Sequence, residues 1–137
     1  MLKIIRAKMH GIRVTGADLN YHGSITLDPD HCARAGIYPL EFVDIWNKNS
    51  GARLSTYVIF GKAGSRCCIL NGAAARTCQA GDEIIIAATD HITPDHLYTQ
   101  RPRILTFTPE NKIAAVMQYR VFASEERAFD FAIDTLE

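Results

Sequence analysis

Apolar and polar residues alternate along most of this chain in short runs broken by glycine, proline and asparagine, and a period of two fits strands rather than helices. The runs are Lys3 to Ala7, His10 to Thr15, Ser24 to Leu27, Phe42 to Asn47, Leu54 to Phe60, Cys67 to Leu70, Glu83 to Ala88 and Arg103 to Phe107. A mainly β domain follows, and a closed barrel is favoured over an open sheet because closure removes exposed strand edges. Two short helices interrupt the strands. The first spans Pro29 to Ala35, with Asp28 as N-cap and Gly36 at the left-handed position beyond its end. The second runs from Gly72 to Cys78, with Asn71 as its cap. A third helix is expected near the end, where Ser124-Glu125-Glu126 reads as a cap and Phe129, Ala132, Ile133 and Leu136 recur at helical spacing. That stripe would dock on the barrel or on a neighbouring subunit.

With 137 residues, 47% of them hydrophobic, the chain is long enough to bury a core as one domain over residues 1–137. Fifteen basic and fifteen acidic residues cancel without a run of like charge, so neither nucleic acid nor an anionic membrane is an expected partner. A small ligand is. The opening Met1 to Lys8 is broken by cations, unlike a signal peptide, and the longest apolar run, Ile84 to Ala88, is too short to span a bilayer. A cytoplasmic location is therefore expected. Cys32, Cys67, Cys68 and Cys78 contain no Cys-x-x-Cys pair and are read as free thiols. The cluster Asp90, His91, Asp95 and His96 surrounds Pro94 and is read as a non-helical, solvated loop with no metal.

Several segments carry more polar chemistry than a strand or turn requires. Gly23-Ser24 opens the run Ser24 to Leu27 after a polar turn, Asp18 to Tyr21, whereas the second such pair, Gly64-Ser65, precedes a strand as an ordinary loop. A chain of this length holds such a dipeptide by chance about every other time, so the pair alone decides nothing. Lys8 and His10 stand two residues apart, on one face of a strand. Arg53-Leu54-Ser55-Thr56-Tyr57 places a cation, two hydroxyls and a phenol after a turn. Asn71-Gly72-Ala73-Ala74-Ala75 leaves backbone N–H groups at a helix start open to an anion or carbonyl oxygen.

Taken together, Lys8-x-His10, Ala17-Asp18-Leu19-x-Tyr21-x-Gly23-Ser24, Asp44-Ile45-Trp46-Asn47, Gly51-x-Arg53-x-Ser55-Thr56-Tyr57 and Asn71-Gly72-Ala73-Ala74-Ala75 resemble the pyruvoyl-dependent aspartate decarboxylases, in order and in register. The resemblance runs from about Lys3 to Pro109. It implies a small six-stranded double-psi β-barrel assembled as a homotetramer, with active sites at subunit interfaces. It also implies decarboxylation of L-aspartate to β-alanine and carbon dioxide, feeding pantothenate synthesis.

The chemistry that the resemblance implies starts with a cut between Gly23 and Ser24, giving chains 1–23 and 24–137. Ser24 Oγ attacks the Gly23 carbonyl, an amide becomes an ester, and elimination and hydrolysis leave a pyruvoyl group where Ser24 stood. Thr56 is implied as the donor to the oxyanion at Gly23. The pyruvoyl ketone then forms a Schiff base with the substrate amine and accepts electrons as the carboxylate leaves. Tyr57 is the implied proton donor. Lys8, His10, Arg53, Thr56, Asn71 and the backbone of Gly72, Ala73 and Ala74 are implied substrate contacts, Arg53 as a bidentate clamp, and Tyr21 a supporting residue.

His22 stands where an acidic residue commonly precedes the glycine, and Gly16 replaces a frequent histidine. Both bear on the rate and pH dependence of cleavage, and an accessory maturation factor is compatible with the pattern. Two other readings compete: a non-enzymatic small-molecule or protein-binding barrel that stays uncut, and a serine hydrolase using Ser24, for which the Gly-x-Ser-x-Gly elbow is missing.

Overall fold

A computed structural model describes all residues from Met1 to Glu137. Ten strands carry the fold: β1 (Leu2–Arg13), β2 (Gly16–Asp18), β3 (Ser24–Leu27), β4 (Phe42–Asn47), β5 (Arg53–Phe60), β6 (Cys68–Asn71), β7 (Glu83–Ile92), β8 (Arg103–Phe107), β9 (Ile113–Phe122) and β10 (Asp130–Thr135). They form one hydrogen-bonded order, β10-β9-β8-β1-β7-β4-β5-β3-β6-β2, with β10 and β2 at its two ends. The ladder runs through ten strands, where the sequence reading expects a closed barrel of six, and its order does not return on itself. The mainly β reading holds.

The alternation does its work where one face is covered. Along β4, Val43, Ile45 and Asn47 are buried between partly exposed neighbours, and Met9, Ile45, Val58, Leu70, Ile84, Ile86 and Leu105 meet in one core. Helix α1 (Pro29–Ala35) forms as its capping residues dictate, since Asp28 accepts from the Asp30 N–H and Gly36 closes the end at φ +83°.

Several elements differ from the sequence reading. The two segments Lys3 to Ala7 and His10 to Thr15 fuse into β1, which absorbs its irregularities as bulges between Ile5 and Ala7 and between His10 and Ile12, the latter at Gly11 with φ +83°. Strand β9 had no counterpart in that reading. The segment Gly72–Arg76 is a 3-10 turn that ends before Cys78, and the Asn71 side chain does not cap it. Pro94–Thr99 is a second 3-10 turn rather than a non-helical loop, because proline in a first turn gives up no hydrogen bond.

The third helix is not formed. Residues 130–135 are strand β10, antiparallel to β9, with Phe131 and Ile133 outward and Arg120 paired to Asp134. The Phe129-Ala132-Ile133-Leu136 spacing suits a helix, but Phe131, Ile133 and Thr135 alternate equally well, and the free edge of β9 decides between the two periods. Ser124 Oγ does accept from two N–H groups ahead of it, those of Glu126 and Arg127, yet it closes the β9–β10 turn instead of opening a helix. No helix is long and apolar enough to cross a membrane.

Candidate active site

The site is set by where β3 begins. Ser24 is its first residue, and antiparallel pairing with β6 puts Asn71 directly opposite. Parallel pairing between β3 and β5 starts only at Ile25 opposite Val58, so Leu54 to Tyr57 run past the end of β3 with that edge of β5 open. A cleft of about 400 Å³ fills the gap, lined by Gly23, Phe42, Leu54 to Tyr57, Asn71, Ala73, Ala74 and Thr77. The open edge explains how consecutive residues of β5, whose side chains alternate in direction, all reach one cavity.

Ser24 is fully buried. Its Oγ donates to the His22 carbonyl at 3.0 Å and accepts from Asn71 Nδ2 at 2.9 Å, and the same Nδ2 donates to Thr26 Oγ1 at 2.8 Å. The hydroxyl is thus folded back over the Gly23 residue between two fixed partners. Gly72 seals this segment from the other side: at φ +67° it lies so near that a Cβ there would stand 2.8 Å from Gly23 Cα and 3.2 Å from the Tyr21 carbonyl oxygen. Gly23 itself does not have positive φ, and a Cβ on it would meet open space. The tight glycine of the pair is Gly72, where the missing Cβ allows the close approach.

Thr56 is buried in the cleft wall opposite Val43, and it makes no hydrogen bond to Gly23. Tyr57 is half-buried, its ring 5.9 Å from that of Phe42. Tyr21 is exposed, edge-on to His22, and outside the cleft lining.

Lys8, His10 and Arg53 are on the outer sheet face, away from the core. Register rows set His10, Ile85, Trp46 and Arg53 side by side on β1, β7, β4 and β5, and Lys8 beside Ala87 and Asp44. Arg53 lies over the Trp46 ring at 5.1 Å, in a recess that shares Leu54 and Ser55 with the cleft. Burial holds the His10 imidazole below its ordinary pKa, and the Lys8 and Lys48 charges push the same way against Glu83. The structure therefore gathers Gly23, Ser24, Thr56, Tyr57, Asn71, Ala73 and Ala74, places Arg53 next door, and leaves Lys8 and His10 apart.

Residues 1–114 match the aspartate decarboxylase family model. An aspartate 1-decarboxylase of Rhodospirillum centenum is 72% identical over 131 residues, covering 96% of this chain and 86% of that one. Those of Paramagnetospirillum magneticum and Agrobacterium fabrum are 71% and 65% identical, over 97% and 99% of this chain and 74% and 88% of theirs. The chain belongs to the aspartate decarboxylase family.

As a family member it carries the β9–β10 hairpin mostly beyond the matched residues, although these relatives align across it. Its departures at His22 and Gly16 are also placed. His22 meets Ser24 through its backbone carbonyl, and Gly16 pairs with Ile69 at the start of β2. Phe42 and Thr77 line the cleft and Thr26 bonds Asn71, and the sequence reading names none of the three. The alternation of β3 alone puts Thr26 on the face of Ser24, so that signal was present.

Proposed function

We propose that this protein decarboxylates L-aspartate to β-alanine, feeding pantothenate synthesis from the cytoplasm, after cutting itself between Gly23 and Ser24. The observation that carries this reading is the fixed hydroxyl of Ser24 at the edge of the cleft, together with the family. Chains 1–23 and 24–137 would remain one folded domain, since β1 is held by β7 and β8 of the longer piece. The parallel pairings of β1 with β8, β2 with β6 and β3 with β5 support a double-psi core within the sheet.

In the precursor, the hydrogen bonds of Ser24 Oγ to His22 and from Asn71 orient it for attack on the Gly23 carbonyl. Gly72, pressed on that segment, prevents it from swinging away. Thr56 is across the cleft as the donor to the developing oxyanion, and the bond tightens only when charge appears. A pyruvoyl group fits this place: residue 24 is fully buried, and its hydrogen-bond partner Asn71 lines the cleft. That group supplies an electrophilic ketone for the substrate amine and a sink for the electrons of the departing carboxylate.

The rest falls to the chain. Tyr57 holds a phenolic proton over the cleft for delivery to the former α-carbon, and Phe42 fixes its ring. The turn at Gly72 to Ala74 offers backbone N–H groups to a carboxylate. Arg53 reaches the cleft over Leu54 and Ser55 and clamps the second carboxylate. Lys8 and His10 cannot join it from the same copy. β1 is separated from β5 by β7 and β4, three ladder spacings or about 14 Å. A neighbouring copy supplies them, which makes the site a shared one and supports the homotetramer.

The experiment is direct: purified protein given L-aspartate yields β-alanine, and Ser24→Ala yields none. Equal turnover by the two proteins, or none by the first, would overturn the reading.

A further inference from the structure

We infer that Thr26 is a positioning residue, whose hydroxyl holds the Asn71 amide in place against Ser24; the inference rests on the functional reading above. The Asn71 amide has two ends that differ in chemistry, a donor NH₂ and an acceptor oxygen. Ser24 Oγ has a single proton, which goes to the His22 carbonyl at 3.0 Å. Ser24 can then only accept from Asn71, so the NH₂ end must face it, as it does at 2.9 Å. One such bond leaves the amide free to swing about it.

The second bond removes that freedom. Thr26 Oγ1 lies 2.8 Å from the same Nδ2, so the two amide protons are forked between two hydroxyls and Asn71 Oδ1 is left as the free acceptor. The placement follows from the strand. Residues 24 and 26 share a face, and Asn71 is directly opposite one and diagonal to the other. A β-branched threonine is also stiff at χ1, so its oxygen is a fixed target. Valine would suit the strand equally well and fill nearly the same volume, and it would lose the hydroxyl that Asn71 bonds. The fork matters most at cleavage. When residue 24 gives up its hydroxyl, Asn71 loses one partner, and Thr26 is what remains to hold the amide.

Thr26→Val is expected to slow self-cleavage about tenfold, the effect of one hydrogen bond of about 1.4 kcal/mol. Its melting temperature should fall by a few degrees, the effect of one buried amide proton left without a partner, and Thr26→Ser should restore both the rate and the melting temperature. A Thr26→Val chain that cleaves at the original rate, or a Thr26→Ser chain as slow as Thr26→Val, would overturn the inference. A readout independent of activity uses the uncut Ser24→Ala chain, with exchange of the Asn71 side-chain amide protons followed by ¹⁵N NMR. Protection is expected in Ser24→Ala and its loss in Ser24→Ala/Thr26→Val; equal exchange in the two contradicts the role of Thr26. If the starting protein neither cleaves nor decarboxylates, the functional reading fails while this amide measurement still decides on Thr26.

Discussion

Gly72 and Gly23 are packed backbone to backbone: a Cβ added at Gly72 would lie 2.8 Å from Gly23 Cα and 2.9 Å from its nitrogen, whereas one added at Gly23 would meet nothing within 4 Å. The two glycines are therefore not equivalent. Gly72→Ala must both hold a side chain at φ +67° and push the cleavage segment aside. The expected cost is about 1–3 kcal/mol in denaturant unfolding of the uncut chain, with cleavage slowed or lost. Gly23→Ala should leave that unfolding midpoint unchanged. Equal midpoints for both variants would contradict the packing argument.

Thr56 is buried without a hydrogen bond to Gly23, and the role proposed for its hydroxyl is to bind the oxyanion of the transition state. Thr56→Val fills the same space. It should slow self-cleavage by about 10²–10³, the usual effect of one oxyanion donor, without lowering thermal stability. Mass spectra taken over time after synthesis give the rate. Cleavage at the original rate would remove Thr56 from the maturation step.

The role proposed for Tyr57 is a different one. Its ring is held against Phe42 at 5.9 Å, a contact that Tyr57→Phe preserves while removing the proton. This variant should mature normally and then form β-alanine at least about 10²-fold more slowly, the range for one positioned general acid. A Tyr57→Phe chain that fails to cleave would contradict the separation of roles between Thr56 and Tyr57.

Acid sensitivity follows from two buried groups of α1, its N-cap Asp28 and His31 within it. Burial would raise the Asp28 carboxyl, but N–H groups of Arg66, Asp30 and Gly64 together hold it below its ordinary 3.8. Burial lowers His31 from 6.5 despite the nearby Asp28 and Asp30. Its Nδ1 has no partner. Both folded values are depressed, so the unfolded chain takes up the proton first and stability falls with pH. The His31 contribution is lost as pH drops below about 6.5, and that of Asp28 as pH drops below about 3.8. Urea unfolding of the Ser24→Ala chain should show decreasing stability from pH 7 to 5, and His31→Met should flatten that slope. An unchanged slope would exclude His31 as its source.

Much of this was legible in the sequence, for physical reasons that differ from part to part. Asp28, Pro29 and Gly36 announce α1 because a cap, a first-turn proline and a left-handed glycine each act locally. The strands around Val43, Ile45 and Val58 are readable because the core covers one of their faces. The tail was not readable, since residues 129–136 fit both periods and only the edge of β9 selects one. At the site, the residue types of Ser24, Thr56, Tyr57 and Asn71 carried the chemistry. Their geometry did not follow from type: Asn71 looked like a helix cap, and its amide instead binds Ser24 and Thr26 across the strand pair. The separation of Lys8 and His10 from the cleft depends on the strand order β1-β7-β4-β5, which no local pattern encodes.

The central claim is that Ser24 is the precursor of the catalytic group, and intact-mass spectrometry of the purified protein tests it most directly. The account predicts two fragments, residues 1–23 and residues 24–137, the second beginning with a ketone in place of the serine amine, and a single whole chain for Ser24→Ala. Only full-length chain after prolonged incubation, with no β-alanine formed from aspartate, would contradict it.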